Sequence, residues 1–256
     1  MGFIKTIKRQ LNKVISQDKQ CYICNTSFAK FGKFRGGTKA LSDYEKDLNI
    51  IGSDIDNFIC LYCSSTDRER HLFMYFDKLN FWDKIKASKI LHFAPERKLK
   101  EKIATLQPKE HIKGDLMPFD KDMIVIDATA IQFEDNYFDV VICNHVLEHI
   151  PDYKKAMKEI WRVLKPNGSA ILQTPVSRLL QQNFEDVAIN TDKLRLTFYG
   201  QEDHARVFSE QQFYKDLAET GFQLNIQKND SLFDEHTCNR YGVNKKEDLV
   251  WVIKPL

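Results

Sequence analysis

No apolar run in the sequence approaches the roughly 18 residues that a membrane-spanning helix requires. No signal-peptide core precedes a small-residue cleavage site either, and a cytoplasmic chain with reduced thiols is expected. Charge of one sign is also lacking. The net charge of +2 removes the global electrostatic argument for a nucleic-acid partner, leaving only local basic clusters. Glycine is missing where it would matter most. Between the apolar segment KILHF and the amphipathic ERKLKEKIATL, the turn reads His92-Phe93-Ala94-Pro95-Glu96, and G-x-G-x-x-G occurs nowhere in the chain. That argues against a nicotinamide-dependent oxidoreductase, whose dinucleotide site needs those glycines for close approach of the backbone.

What is present begins with sulfur. Four of the six cysteines form two C-x-x-C pairs, Cys21/Cys24 and Cys60/Cys63. Two intervening residues let both sulfurs of a pair face one point while main-chain N–H groups stabilise thiolate charge. Two such knuckles supply a closed tetrahedral site of the kind that holds structural zinc. A redox dithiol, chance pairing or a rubredoxin-like iron centre are the competing readings. Between the pairs, FGKFRGG suits a flexible excursion. Cys143 lies in an apolar run and reads as a small core residue, and Cys238 stands alone. Thr66 to Glu69 forms a capping box ahead of HLFMYF. Arg68, Arg70 and His71 face either a ligand or solvent in that first turn.

At 256 residues the chain accommodates one large domain and a small module. The spacing predicts an N-terminal amphipathic helix over residues 1–20, a metal module with its linking helix over 21–80, and a catalytic domain over 81–256 with an insertion at 177–208. On the first helix Phe3, Ile7, Leu11, Val14 and Ile15 share a stripe, with Lys5, Lys8, Arg9 and Lys13 mostly elsewhere. Such a helix docks on its own domain or makes peripheral membrane contact through residues 1–15. MGFIKT also fits the loose myristoylation pattern.

From Lys89 onward, apolar strands alternate with amphipathic helices. Five strands and their helices give way to SEQQFYKDLAETG (helix), FQLNIQKND (strand) and LVWVIKPL (strand). This predicts a doubly wound, mostly parallel α/β sheet whose last strand returns antiparallel by a hairpin. Ligands of such sheets bind beyond the carboxyl ends of the strands.

Residues 88–176 and 209–256 resemble the class I S-adenosylmethionine-dependent methyltransferases, most tellingly over FEDNYFDVVICNHVLEHIPDYKKAMKEIWRVLKPNGSAILQTP, where Asn167 replaces the first glycine of the family's LKPGG turn. LHFAPE, YGQEDHARVF and the paired C-x-x-C motifs are similar to a bacterial subgroup that accompanies surface-glycan genes. The resemblance implies a seven-stranded Rossmann-like sheet, an S-adenosylmethionine site and a structural Zn2+ held by Cys21, Cys24, Cys60 and Cys63. It implies that His92, Phe93, Ala94, Pro95 and Glu96 form the first cofactor loop, with Glu96 receiving the ammonium group. Asp115 and Leu116 take the ribose position, Asp127 and Ala128 the adenine position, and Asn144 and His145 border the sulfonium.

Chemistry at the acceptor is expected from the insertion. His204 is the candidate general base, Asp203 its orienting partner, and His149, Glu202 and Arg206 candidate substrate contacts, with Arg206 gripping an anionic group. A salt-bridged lid without proton chemistry is the bland alternative. The acceptor is expected to be a small molecule or glycan, such as a hydroxyl of a surface-glycan or lipid-linked sugar, with no nucleic acid partner. A non-catalytic adaptor with a vestigial pocket is the competing function, and the sequence says nothing of oligomeric state.

Overall fold

A computed structural model of the chain describes residues 17–256. The amphipathic stripe of residues 1–15, with its docking, membrane and myristoylation readings, lies outside the described residues. The expected helix does not extend to residue 20, since Lys19–Gln20 pair as a short strand with Ser27–Phe28.

Seven strands form the central sheet: β1 (Lys89–Phe93), β2 (Glu110–Asp115), β3 (Ile124–Val125), β4 (Phe138–Cys143), β5 (Leu164–Ile171), β6 (Gln223–Gln227) and β7 (Leu249–Ile253). Their spatial order is β6-β7-β5-β4-β1-β2-β3. β1 and β4 lie at the centre, which is why they read as continuous apolar runs rather than alternating ones. β7 is antiparallel to both β5 and β6. The antiparallel return is as expected, but the hairpin is not. Residues 228–248 leave the sheet and carry two short helices, Asn229–Leu232 and Glu235–Tyr241, before β7 begins.

Alternate residues of the central strands feed two cores. Leu91, Phe93, Val141 and Cys143 pack with the helices Tyr153–Val163 and Glu210–Thr220, through Ile160, Phe213 and Leu217 among others. Ile90, Val140 and Ile142 pack on the other face with Leu72 and Phe76 of α1 (Asp67–Lys78) and with Leu99 and Ile103 of α2 (Arg97–Thr105). Each fully buried Leu, Ile or Phe contributes about 1.5–3 kcal/mol by leaving water. Cys143 is indeed a core residue. Between β4 and β5 the register jumps from Phe138↔Leu164 to Val140↔Ser169, so Lys165–Gly168 bulge out of the ladder. Asn167 makes the turn at φ 62°, a left-handed conformation that asparagine tolerates better than most side chains.

The two C-x-x-C knuckles meet. The four cysteines present sulfurs that all lie within 4.8 Å of one another, with Cys21 Sγ 3.6 Å from Cys63 Sγ and Cys24 Sγ 3.9 Å from Cys60 Sγ. A tetrahedron with metal–sulfur bonds near 2.3 Å has sulfur–sulfur edges of about 3.8 Å, so the group could hold a metal ion as it stands. Asn25 and Ser64, each just past a pair, adopt left-handed φ of 56° and 59°, which turns each knuckle back on itself.

Arg70 fastens this module to the connection between β6 and β7. Its guanidinium is completely buried and donates to the carbonyls of Asn57, Phe58, Ser65, Tyr241 and Gly242, stacked 4.0 Å over Phe31. The solvent-facing alternative for Arg70 and His71 is thus overturned, because α1 packs on the sheet by its first turn as well as its last. The excursion between the knuckles is no free loop. It holds a short helix, Asp43–Leu48, with a Ser42/Glu45 capping box, and Ile51 pairs with Val176 just past β5.

Candidate active site at the carboxyl edge of the sheet

β1 ends in a backbone kink. Ala94 takes φ 41°, left-handed and costly for a residue with a Cβ, while its N–H donates to Gly114 O at 2.9 Å. The turn therefore has the conformation a glycine loop would have, made with the next smallest side chain. Pro95 is buried, and Glu96 caps α2 without donating its carboxylate to the helix. That duty falls to Glu69. One Glu69 oxygen accepts from Thr66 N at 2.8 Å and the other from Lys98 N at 2.6 Å, so a single side chain closes the starts of α1 and α2.

The Glu96 carboxylate is released for other work. It accepts from Asn144 Nδ2 at the end of β4 and lies 3.1 Å from His92 Nε2. Burial acts to raise its pKa, but the His92 hydrogen bond and charge and the Asn144 amide outweigh this and hold it below the usual carboxylate range. His92 Nδ1 sits 3.4 Å from His111 Nε2. The first-loop expectation is therefore corrected at two positions. His92 and Phe93 are both buried, because strand alternation turns them to opposite faces of the sheet, where His92 supports Glu96 and Phe93 joins the core with Leu91 and Val141. Asn144 is likewise buried and acts through Glu96.

Asp115 ends β2, where its Oδ1 accepts from Met117 N at 2.8 Å and so forms a tight turn that leaves the second oxygen uncommitted. Beyond it Leu116 is 66% exposed and Met117 78% exposed. Asp127 accepts from Thr129 N at 2.7 Å and from its hydroxyl at 2.8 Å, which lowers its pKa, and Ala128 beside it is buried. An ionised carboxylate beside a left-handed turn, an open carboxylate after β2 and bare apolar side chains next to it fit the amino-acid, ribose and adenine parts of S-adenosylmethionine.

Beside this edge lies a cavity of about 430 Å3. Its walls come from segments remote in sequence, among them α1 through Arg68 and the β6–β7 connection through Val243, Asn244 and Lys245. Phe34, Arg35 and Phe58 belong to the excursion between the cysteine pairs, Leu196, Tyr199 and His204 to the insertion, and His145 to the end of β4. α3 (Asp192–Tyr199) is the insertion's one helix, started by the Thr191 cap and stopped by Gly200 at φ 85°. Several contacts seam the insertion to the excursion: Arg35 with Glu202 at 2.8 Å, Ser42 Oγ donating to Thr197 O at 2.9 Å, Ser177 Oγ donating to Leu48 O at 2.6 Å, and the ring of Tyr44 on that of Phe198.

The insertion's candidates separate here. His204 Nδ1 lies 2.9 Å from Tyr199 O, and a carbonyl only accepts, so Nδ1 carries the proton and Nε2 the lone pair. That Nε2 is buried with no partner. Burial, chiefly, lowers the His204 pKa. Asp203 does not orient His204; its carboxylate lies 3.1 Å from His149 Nδ1. Arg206 is not an anion grip. Its guanidinium is buried over Tyr153, pairs with Glu185 and donates to the carbonyls of Ile150 and Pro151, bracing the insertion against the turn after β4. Glu202 is committed to Arg35.

Two participants escaped the sequence reading, the carboxylates of Glu148 and Glu247 that flank His145. His145, at φ 53°, lies between two buried carboxylates, with Nδ1 3.4 Å from Glu148 and Nε2 3.3 Å from Glu247. Burial and Arg68 oppose its protonation, but the two carboxylates prevail and raise its pKa. Burial likewise opposes ionisation of Glu148, yet the His145 hydrogen bond and charge bring its pKa down to about 2. Glu247 also reaches His71 Nδ1 at 3.2 Å, and His71 Nε2 meets Asn229 at 2.7 Å. Burial pattern held the only signal: acids and histidines inside apolar runs.

Residues 88–172, from just before β1 to just after β5, match the family described as Methyltransferase domain. The fold is a methyltransferase fold. It is shared with an S-adenosylmethionine-dependent methyltransferase from Mesorhizobium loti, at 11% identity and a TM-score of 0.51 over 70% of this chain and 97% of that one. A chain of the Haloferax volcanii complex between the Trm112 methyltransferase activator and a methyltransferase has a TM-score of 0.50 at 13% identity, covering 74% of this chain and 92% of that one. Among curated proteins, this chain is 42% identical to the Caenorhabditis elegans phosphoethanolamine N-methyltransferase 2 over 48 residues, 19% of this chain and 11% of the relative. It is 38% identical to Staphylococcus aureus demethylmenaquinone methyltransferase over 72 residues, 28% of this chain and 25% of the relative. The chain thus spans a quarter or less of these curated relatives.

Proposed function

We infer that the protein is an S-adenosylmethionine-dependent methyltransferase acting on a small, hydroxyl-bearing acceptor held in the cavity between the insertion and the excursion. The observation that carries the reading is the pairing, on a methyltransferase fold, of an ionised Glu96 with an open Asp115 at the carboxyl ends of β1 and β2. S-adenosylmethionine supplies a methyl group activated on a cationic sulfur. Glu96 receives its ammonium group and Asp115 its ribose hydroxyls, while Asp127 and Leu116 flank the adenine. His145, which ends β4 and lines the cavity, marks the boundary between cofactor and acceptor.

The cavity falls within the size range of roughly 300–1,000 Å3 usual for small-molecule sites. Of the cations on its wall, Arg35, Arg206 and Lys245 are paired with Glu202, Glu185 and Glu235, while Arg68, whose Nε donates to Ser53 Oγ, suits an acceptor carrying an anionic group. A phosphorylated or acidic sugar belongs to that class. His204 Nε2 is the lone pair placed to take the hydroxyl proton as the methyl moves, and Tyr199 O keeps the tautomer correct. The sulfur group is read as a structural zinc site, since four thiolates close the coordination sphere. Incubating the protein with methyl-labelled cofactor and fractionated cell extract tests the reading. Label should enter a low-molecular-weight anionic fraction, and label confined to RNA or protein would overturn the acceptor class.

A further inference from the structure

Apart from the four cysteines, one other group among the described residues gathers metal-ligating atoms within 4.8 Å of one another: Glu148, His149 and His204. Two come from the turn after β4 and one from the insertion, so the group exists only because the insertion folds back over the sheet's carboxyl edge. Each member has an outer partner. Asp203 lies 3.1 Å from His149 Nδ1 and leaves the other ring nitrogen free. Tyr199 O holds His204 Nδ1 at 2.9 Å, and Thr174 Oγ1 donates to Glu148 at 3.0 Å. A carboxylate behind one histidine, a carbonyl behind the other and a hydroxyl on the acid form the outer shell that orients metal ligands. The remaining observation is independent of these contacts. His204 is 5% exposed, and its Nε2 is a buried polar atom with no partner of any kind. An orphan lone pair inside a protein is costly unless something fills it.

We propose that Glu148, His149 and His204 hold a divalent transition-metal ion whose open coordination positions face the acceptor cavity. Two imidazoles and one carboxylate suit zinc, manganese, cobalt or iron(II), and differ from both the soft four-thiolate group and an all-oxygen magnesium or calcium site. Three protein ligands leave room for a substrate oxygen, which is the arrangement of catalytic rather than structural sites. Of the three, His204 lines the cavity, which places the group at its wall. The inference rests on reading that cavity as the acceptor site. With the ion in place the His204 lone pair is spent on the metal, and the ion replaces the free imidazole as the group that activates the hydroxyl. The acceptor hydroxyl, its pKa lowered by coordination, loses its proton to solvent and presents an oxyanion to the methyl group.

Manganese(II) is the probe, because it avoids thiolates and so bypasses the cysteine group. The full chain, freed of loosely bound metal by chelator, is titrated with Mn2+ while free ion is followed by electron paramagnetic resonance. About one ion per chain should bind. His204→Ala and His149→Ala should abolish binding, and Asp203→Asn, on an exposed side chain where folding is not at stake, should weaken it about tenfold to a hundredfold. Calorimetry with S-adenosylhomocysteine on the same samples should give unchanged affinity. Absence of saturable Mn2+ binding, or equal binding in all three variants, overturns the metal site. If the cofactor product still binds in that case, the methyltransferase reading stands without it. Bound Mn2+ with no affinity for the cofactor product would support the metal site and defeat the reading it rests on.

Discussion

His204 Nδ1 faces the carbonyl of Tyr199 at 2.9 Å, and the contact fixes which ring nitrogen is left for chemistry. The Nε2 lone pair lies buried at the cavity wall with nothing to meet it. His204→Ala should leave affinity for S-adenosylhomocysteine within a few-fold of wild type and lower turnover about a hundredfold. Steady-state turnover with calorimetry in parallel checks this, and equal turnover would remove His204 from the chemistry.

The kink at Ala94 makes a second prediction. Its left-handed backbone suits glycine best. Ala94→Gly should keep cofactor binding and change stability by less than about 1 kcal/mol, since relief of strain offsets added chain entropy. Ala94→Val places a branched Cβ in the same conformation and should cost about 1–2 kcal/mol or more. Urea unfolding with calorimetry reads both. A valine variant as stable as wild type would show that the turn is not held in this conformation.

His111, beneath the same loop, gives a pH dependence. Burial, followed by the neighbouring charges of His92 and Lys113, takes its pKa from 6.5 down to about 3. An unfolded chain protonates this ring below pH 6.5, whereas the folded chain does so only near pH 3. The stabilising contribution is therefore complete above pH 6.5 and is lost as pH falls between those values. His111→Gln should abolish about 1–2 kcal/mol of the stability that the wild type loses between pH 7 and pH 5. Urea midpoints at the two pH values measure it; parallel losses in both proteins would contradict the assignment.

Removal of the sulfur-bound metal should unfold more than the module. Arg70 ties the knuckle at Ser65 to Tyr241 and Gly242 in the β6–β7 connection, so distortion at Cys60 reaches the sheet. One zinc per chain should appear in elemental analysis, and Cys60→Ser should cost several kcal/mol, as metal binding is coupled to folding. A metal-free protein with unchanged melting would remove the zinc site.

Much of the fold was readable in the chain. The succession of strands was accessible because apolar runs such as Ile90–Phe93 and Phe138–Cys143 are buried on both faces and punctuated by helical spacing. The C-x-x-C knuckles and the Thr66/Glu69 box are local, and local geometry is what spacing encodes. Long-range pairings were not legible. Nothing in the sequence tells that Glu247 serves His145, 102 residues away, or that Asp203 turns to His149 rather than to its neighbour His204. Arg206 misled for the same reason. An arginine beside a histidine looks like a substrate grip until the carbonyls of Ile150 and Pro151 close around it.

Calorimetry of the full chain with S-adenosylhomocysteine, with NAD as the control on the same sample, puts the methyltransferase reading to its most direct test. S-adenosylhomocysteine should bind at one site per chain, NAD should not, and Asp115→Ala should weaken the binding at least about tenfold through loss of two charge-assisted hydrogen bonds. A folded protein that binds no S-adenosylhomocysteine, or one that prefers NAD, would contradict it.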